Sequence, residues 1–279
     1  MSYFLTDIKK IYQSKITKVM LALLFIIMIA DPISVYFKYG RNEKFVETIG
    51  KNGFQFWLLM NSRSWGFNVY HSLLMIFPVL STALILYSEQ RSSMYEFLII
   101  RDSKIKYYLS KIFSVFFATF INFFILFSIN VFVTSIFFPF DAVCTGIIKN
   151  YIPKVGMFSY PFYEHNPLSM VFLFVFLNAF TIALLALFAL AFHMIVKLKN
   201  KYMAILTPFI VLYLITYLMG IILEQKLWNY DFMLIIQPMV GAMSKNIISS
   251  VDVLIVFGLI IVIDTVLLIG GYIRNRESL

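Results

Sequence analysis

Asp264 stands in the middle of an apolar run, VLIVFGLIIVIDTVLLIGGYI, residues 253 to 273. An ionised carboxylate at that depth in a bilayer costs ~3 kcal/mol, so such a residue faces a bundle interior or a wet path, or it is protonated or hydrogen-bonded. Asn122, Asn130 and Asn178 lie in other apolar runs. With Asp264 they are the candidates for a substrate pathway. The alternative role is polar glue between helices, with Asp264 partnered by one of these asparagines or by Thr181. Asp31, His71 and His193 fall near the ends of apolar runs, where water reaches them, and read as satisfied interfacial side chains rather than catalysts. One cysteine, Cys144, and three histidines make a structural zinc site improbable, and no His-Glu-x-x-His pair is present. The best-placed carboxylates, Asp31 and Asp264, stand at different depths, which reads against aspartyl chemistry. No G-x-x-x-x-G-K-[ST] occurs either, so the chain cannot cradle nucleotide phosphates by that route.

The elements that hold these residues are membrane helices. Of 279 residues, 61% are hydrophobic and 13% charged, against about 25% charged in soluble domains. About 20 apolar residues cross a bilayer, and this criterion gives six spans in one membrane domain covering 1–279: about 19–37, 69–87, 112–138, 168–196, 202–223 and 253–273. Pro32 is expected to kink or end the first. Before it, Phe4, Ile8, Ile11 and Tyr12 share one helical face, the pattern of an interfacial helix. The run FQFWLLM is too short to cross and reads as an interfacial or re-entrant piece, with Trp57 and Trp65 fitting an aromatic belt. Between spans five and six an apolar stretch broken by Pro238 reads as one or two half-helices, and Asp252 as the cap of span six.

Six spans put both termini on one side. That side carries 14 lysines and arginines in short flanks, the other nine in longer loops, and the positive-inside rule assigns it to the cytosol. The net charge of +9 therefore reports orientation first and does not point to nucleic acid as a partner. The segment YSEQRSSMYEFLIIRDSKIKYYLSK, residues 87 to 111, is then cytosolic. As a helix it places Tyr95, Leu98 and Ile99 on one side with Met94 close by, an apolar knob for a cytosolic partner.

This segment resembles the first cytosolic loop of type-two ABC export permeases. Glu89-x-Arg91-Ser92-Ser93, an apolar run, then Arg101-Asp102-Ser103-Lys104 and Ser110-Lys111 entering a span carry the likeness over about 25 residues. Ser103 and the Ser110-Lys111 pair fit the family pattern. Ser92-Ser93 stand where Gly-Thr is usual, Arg101 where proline is, and Lys104 for an arginine. The interfacial helix, six spans, cytosolic termini and broken segment before span six extend the likeness to the whole chain as architecture. The resemblance implies an all-α polytopic membrane protein of the bacterial cell membrane, with a cytosolic coupling helix between spans two and three. Its contact residues would be Glu89, Arg91, Met94, Tyr95, Leu98, Ile99, Arg101 and Lys104. It also implies a separate ATP-binding subunit that holds ATP and magnesium, and a second permease subunit, identical or not.

The function expected on this reading is export of a hydrophobic or amphipathic substrate, a peptide first, a lipid or drug next. No docking loop of the importer type is present. The rival classes are an immunity or sensor protein that binds a toxin peptide without transport and, less favoured, an intramembrane enzyme.

Overall fold

The computed structural model describes residues 2–41, 52–62, 64–91, 103–140, 153–196, 200–222, 230–238 and 247–276. It is all-helical, with no strand among them. The main helices are α1 (Ser2–Gln13), α2 (Lys15–Val35), α3 (Gly53–Phe56), α4 (Trp65–Leu73), α5 (Ile76–Arg91), α6 (Lys104–Phe137), α7 (Tyr160–His165), α8 (Pro167–Ile195), α9 (Lys201–Ile222), α10 (Phe232–Ile235) and α11 (Ser250–Arg276). Five segments are long and apolar enough to cross a membrane, in α2, α6, α8, α9 and α11, and the bent pair α4–α5 is a sixth if taken as one span.

The bend between α4 and α5 is 58° and falls at Leu74 and Met75, ahead of Pro78. Proline is tolerated in the first turn of a helix, where its missing N–H has no partner to lose, so Pro78 helps to begin α5 rather than break it. Pro32 also fails to end its helix: α2 runs through it to Val35 and passes into a π-helical turn, Tyr36–Gly40. At ~1.5 Å per residue, the 34 residues of α6 measure about 51 Å, well beyond a hydrocarbon core of about 30 Å. Its first turns, from the Ser103 cap onward, therefore project beyond the apolar layer or tilt. Ser103 accepts from the Lys106 N–H.

Helix α8 is the centre of the molecule and packs against α5, α6 and α11. Its buried Ala183, Ala186, Ala189 and Ala191 let neighbours approach closely, since small side chains maximise packing where no hydrophobic force separates helix from lipid. Helices α9 and α11 are far more exposed along their apolar windows. The FQFWLLM segment is a buried wedge: Asn52 caps α3 by accepting from the Phe54 N–H, and Trp57 and Leu58 are buried against the core. Trp57 thus leaves the aromatic belt expected for it, while Trp65 is 43% exposed and bonds to Ser34 through its indole N–H at 2.8 Å. Before the last span, α10 is a single turn capped by Asp231. Ser249 caps α11, and Asp252 bonds back to the Ser249 N–H, which makes a reciprocal capping box of the two.

Lys10 meets Glu89, Asp7 meets Lys111, Tyr108 packs edge-on against Tyr272 at 5.8 Å and Asn275 reaches Met194. Helix α1, the end of α5, the start of α6 and the ends of α8 and α11 therefore gather at one end of the bundle.

Candidate functional site

At that end lies a buried cluster of charge. The expected apolar face of α1 includes Phe4, Ile8 and Ile11, but between them Asp7 is also buried, at 3% exposure. It is turned toward α6, where Lys111 donates to Asp7 Oδ1 and Ser110 donates to Oδ2 at 2.8 Å. Lys111, 1% exposed, also donates to Glu89 Oε1 at 2.8 Å. Lys10 donates to the same Glu89 oxygen at 2.5 Å, and the Tyr107 hydroxyl donates to Oε2 at 2.6 Å. Tyr107 and Lys111 are four apart, so one face of α6 supplies both. The Ser114 hydroxyl reaches the Phe4 carbonyl at 3.3 Å and completes the seam.

Two acids and two bases balance formally. Burying an ion costs several kcal/mol, and for the buried Asp7, Lys111 and Glu89 this is offset by their mutual pairing and by the Ser110, Tyr107 and half-exposed Lys10 donors. The cluster ties α1, α5 and α6 together through side chains of all three helices. Glu89 closes one flank of the basic segment and Lys111 the other. Of the remaining coupling candidates, Arg91 ends α5 and Lys104 opens α6 half-buried, whereas Met94, Tyr95, Leu98, Ile99 and Arg101 lie outside the described residues. Periodicity alone misses Asp7, whose only sequence signal is a lone acid on a face otherwise apolar.

The asparagines are engaged elsewhere. Asn122 accepts from the Tyr12 hydroxyl at 2.8 Å, and burial pushes the Tyr12 phenol above its ordinary range despite that bond. Asn130 donates to the Met28 carbonyl at 2.9 Å and accepts from the Leu58 N–H at 3.3 Å. Met28 is four residues before Pro32, so its carbonyl is the one the proline leaves without a helical donor. Asn178 donates to the Phe174 and Ile236 carbonyls and accepts from the Tyr70 hydroxyl at 3.1 Å. Thr181 bonds within its own helix. None of these bonds goes to Asp264, whose Oδ2 is buried with no hydrogen-bond partner. Near the other end of the bundle Asp31 accepts from the Gly66 N–H at 2.9 Å, and a Cβ on Gly66 would stand 2.6 Å from the carboxylate.

A cavity of about 450 Å³ opens between α4, α9 and α10, lined by His71, Ser72, Met75, Tyr213, Thr216, Tyr217 and Met233. Its walls pair apolar bodies with hydrogen-bonding tips, and none of the pathway candidates lines it. Only tertiary packing brings these residues together, so no run in the sequence announces it.

Comparison with protein-family models, with curated proteins and with solved structures finds no match for the chain. The fold is that of an all-helical protein with five apolar helices, or six with the bent pair, suited to a membrane.

Proposed function

We propose that this chain is the membrane-spanning permease subunit of an ATP-driven exporter, working with a separate ATP-binding subunit and a second permease subunit. The observation that carries the reading is the Asp7–Lys111–Glu89–Lys10 cluster. It braces both flanks of the segment whose residues carry the family resemblance, Glu89 and Lys111 among them. A push on residues 92–102 from a cytosolic motor would pass through these bonds into α1, α5 and α6 together, not into a slack loop. Nucleotide-driven closure of the partner subunits would then rock the spans and switch access from one face to the other. The motor holds ATP and magnesium; this chain supplies the path. The cavity beside His71 and Tyr217 suits a hydrophobic or amphipathic cargo with uncharged polar groups, a peptide foremost. The setting is a bacterial cell membrane with both termini cytosolic.

The test is purification of the tagged chain from its native membrane. The expected result is co-purification of an ATP-hydrolysing subunit, lost in Tyr95→Glu and Leu98→Glu while the amount of membrane-inserted chain is unchanged. A chain that purifies without any ATPase, or association that survives both substitutions, would overturn the reading and favour a toxin-binding immunity protein.

A further inference from the structure

In the spans Asp31 Oδ2, His193 Nε2 and Asp264 Oδ2 are buried with no hydrogen-bond partner; Asp31 accepts from the Gly66 N–H through its other oxygen, which leaves Asp264 as the carboxylate to explain. It lies 14 residues into α11, about 21 Å along the axis at ~1.5 Å per residue. The inward stripe of α11 runs Val256, Phe257, Ile260, Asp264, Leu268, Gly271 and Asn275, the three-and-four spacing of a helix seated on a neighbour. That neighbour is α8. Phe257 meets Phe180 edge-on at 5.6 Å, and a Cβ on Gly271 would stand 2.6 Å from the Met194 Cβ. Both contacts have the same offset, which sets Asp264 level with Leu187, in a stretch of α8 where Ala183, Leu184, Ala186 and Leu190 are all buried and apolar. Asp264 is 3% exposed and its Oδ2 has no partner.

Three occupants can neutralise such a carboxylate: a cationic side chain, a metal ion or a proton. The titratable groups of the elements packed on α11 stand well away along the axis. His193 of α8 is six residues past the level of Leu187, about 9 Å, and Tyr108 of α6 lies at Tyr272, eight residues past Asp264, about 12 Å. Arg274 of α11 itself is ten residues on, about 15 Å, and Asp231 beside α10 and Asp252 lie toward the opposite end of the helix. A metal needs several oxygens, yet the hydroxyl of the adjoining Thr265 is exposed and spends its proton on the Ile261 carbonyl. No group of three metal-binding side chains occurs among the described residues. The proton remains.

We infer that Asp264 is a proton-binding site: with neither a cation nor a metal-binding set facing it among the described residues, its buried carboxyl at the seam of α8 and α11 is held as an acid O–H. The inference is independent of export and of any partner subunit.

The same chemistry makes Asp264 a modification site for an apolar carbodiimide. Dicyclohexylcarbodiimide takes the acid's proton on nitrogen while the carboxylate oxygen bonds to its central carbon. The O-acylisourea then rearranges to an N-acylurea that keeps every atom of both reactants. The experiment treats the full chain in liposomes with this reagent across a pH series and maps the adduct by mass spectrometry. The expected result is an adduct on Asp264 at neutral pH that declines as the pH rises, absent in Asp264→Asn and not formed by a water-soluble carbodiimide. No adduct on Asp264 at neutral pH, or labelling that is unchanged into alkali, would overturn the inference. The wild-type titration decides by itself should the variant not fold.

Discussion

Pro32 removes a donor from a membrane helix, and in a medium without water the freed carbonyl must be met by protein. Asn130 meets the Met28 carbonyl. Asn130→Leu is expected to lower stability by about 1–2 kcal/mol, the scale of interhelical hydrogen bonds in bilayers. Pro32→Ala restores a backbone donor to Met28, so in the double variant part of that loss should return. A denaturation cycle over the four proteins in detergent checks this, and strict additivity would contradict the assigned role. In the charge cluster, Lys111→Met leaves Asp7 and Glu89 short of a cation in a buried site. The expected loss is about 3–5 kcal/mol, read as a fall in melting temperature or in recovered protein. Lys111→Met combined with Asp7→Asn and Glu89→Gln should lose less than Lys111→Met alone, which a purely steric role for the lysine would not produce.

Helices α8 and α11 come close together where Gly271 faces Met194. Gly271→Ala places a methyl 2.6 Å from the Met194 Cβ, and overpacking of this kind costs about 1–3 kcal/mol. The expected readout is faster exchange or easier proteolysis at the ends of α11 while α6 keeps its protection. At this scale much is legible in the sequence, because a span announces itself by length and apolarity alone. The apolar run 168–196 coincides with α8 to within one residue at each end. The bend at Leu74 and Met75 is not legible, since its nearest signal, Pro78, sits in the first turn of the next helix, where proline is at ease. Asp7 is hidden for a different reason. An acid on an apolar face means nothing until Lys111, 104 residues away, is known to stand against it. The burial of Trp57 and the cavity beside His71 likewise depend on packing between distant segments.

Across the whole molecule the burial is lopsided. Helix α8 is enclosed, whereas Tyr202, Leu206, Tyr213 and Tyr217 of α9 and Leu254, Val262 and Val266 of α11 are exposed on the outer surface. The end where α1, α5 and α6 join carries the charge cluster, and if the chain is an exporter's permease it is the end a cytosolic motor pushes. The most direct measurement of that claim uses a chain with Cys144→Ser and a single cysteine in place of Tyr95, treated with a membrane-impermeant maleimide. Labelling only in inverted vesicles, and its suppression when the ATPase subunit is bound, is the result expected. Labelling from the outside of intact cells would contradict the proposal, because the segment meant to take the push would then face away from any source of ATP.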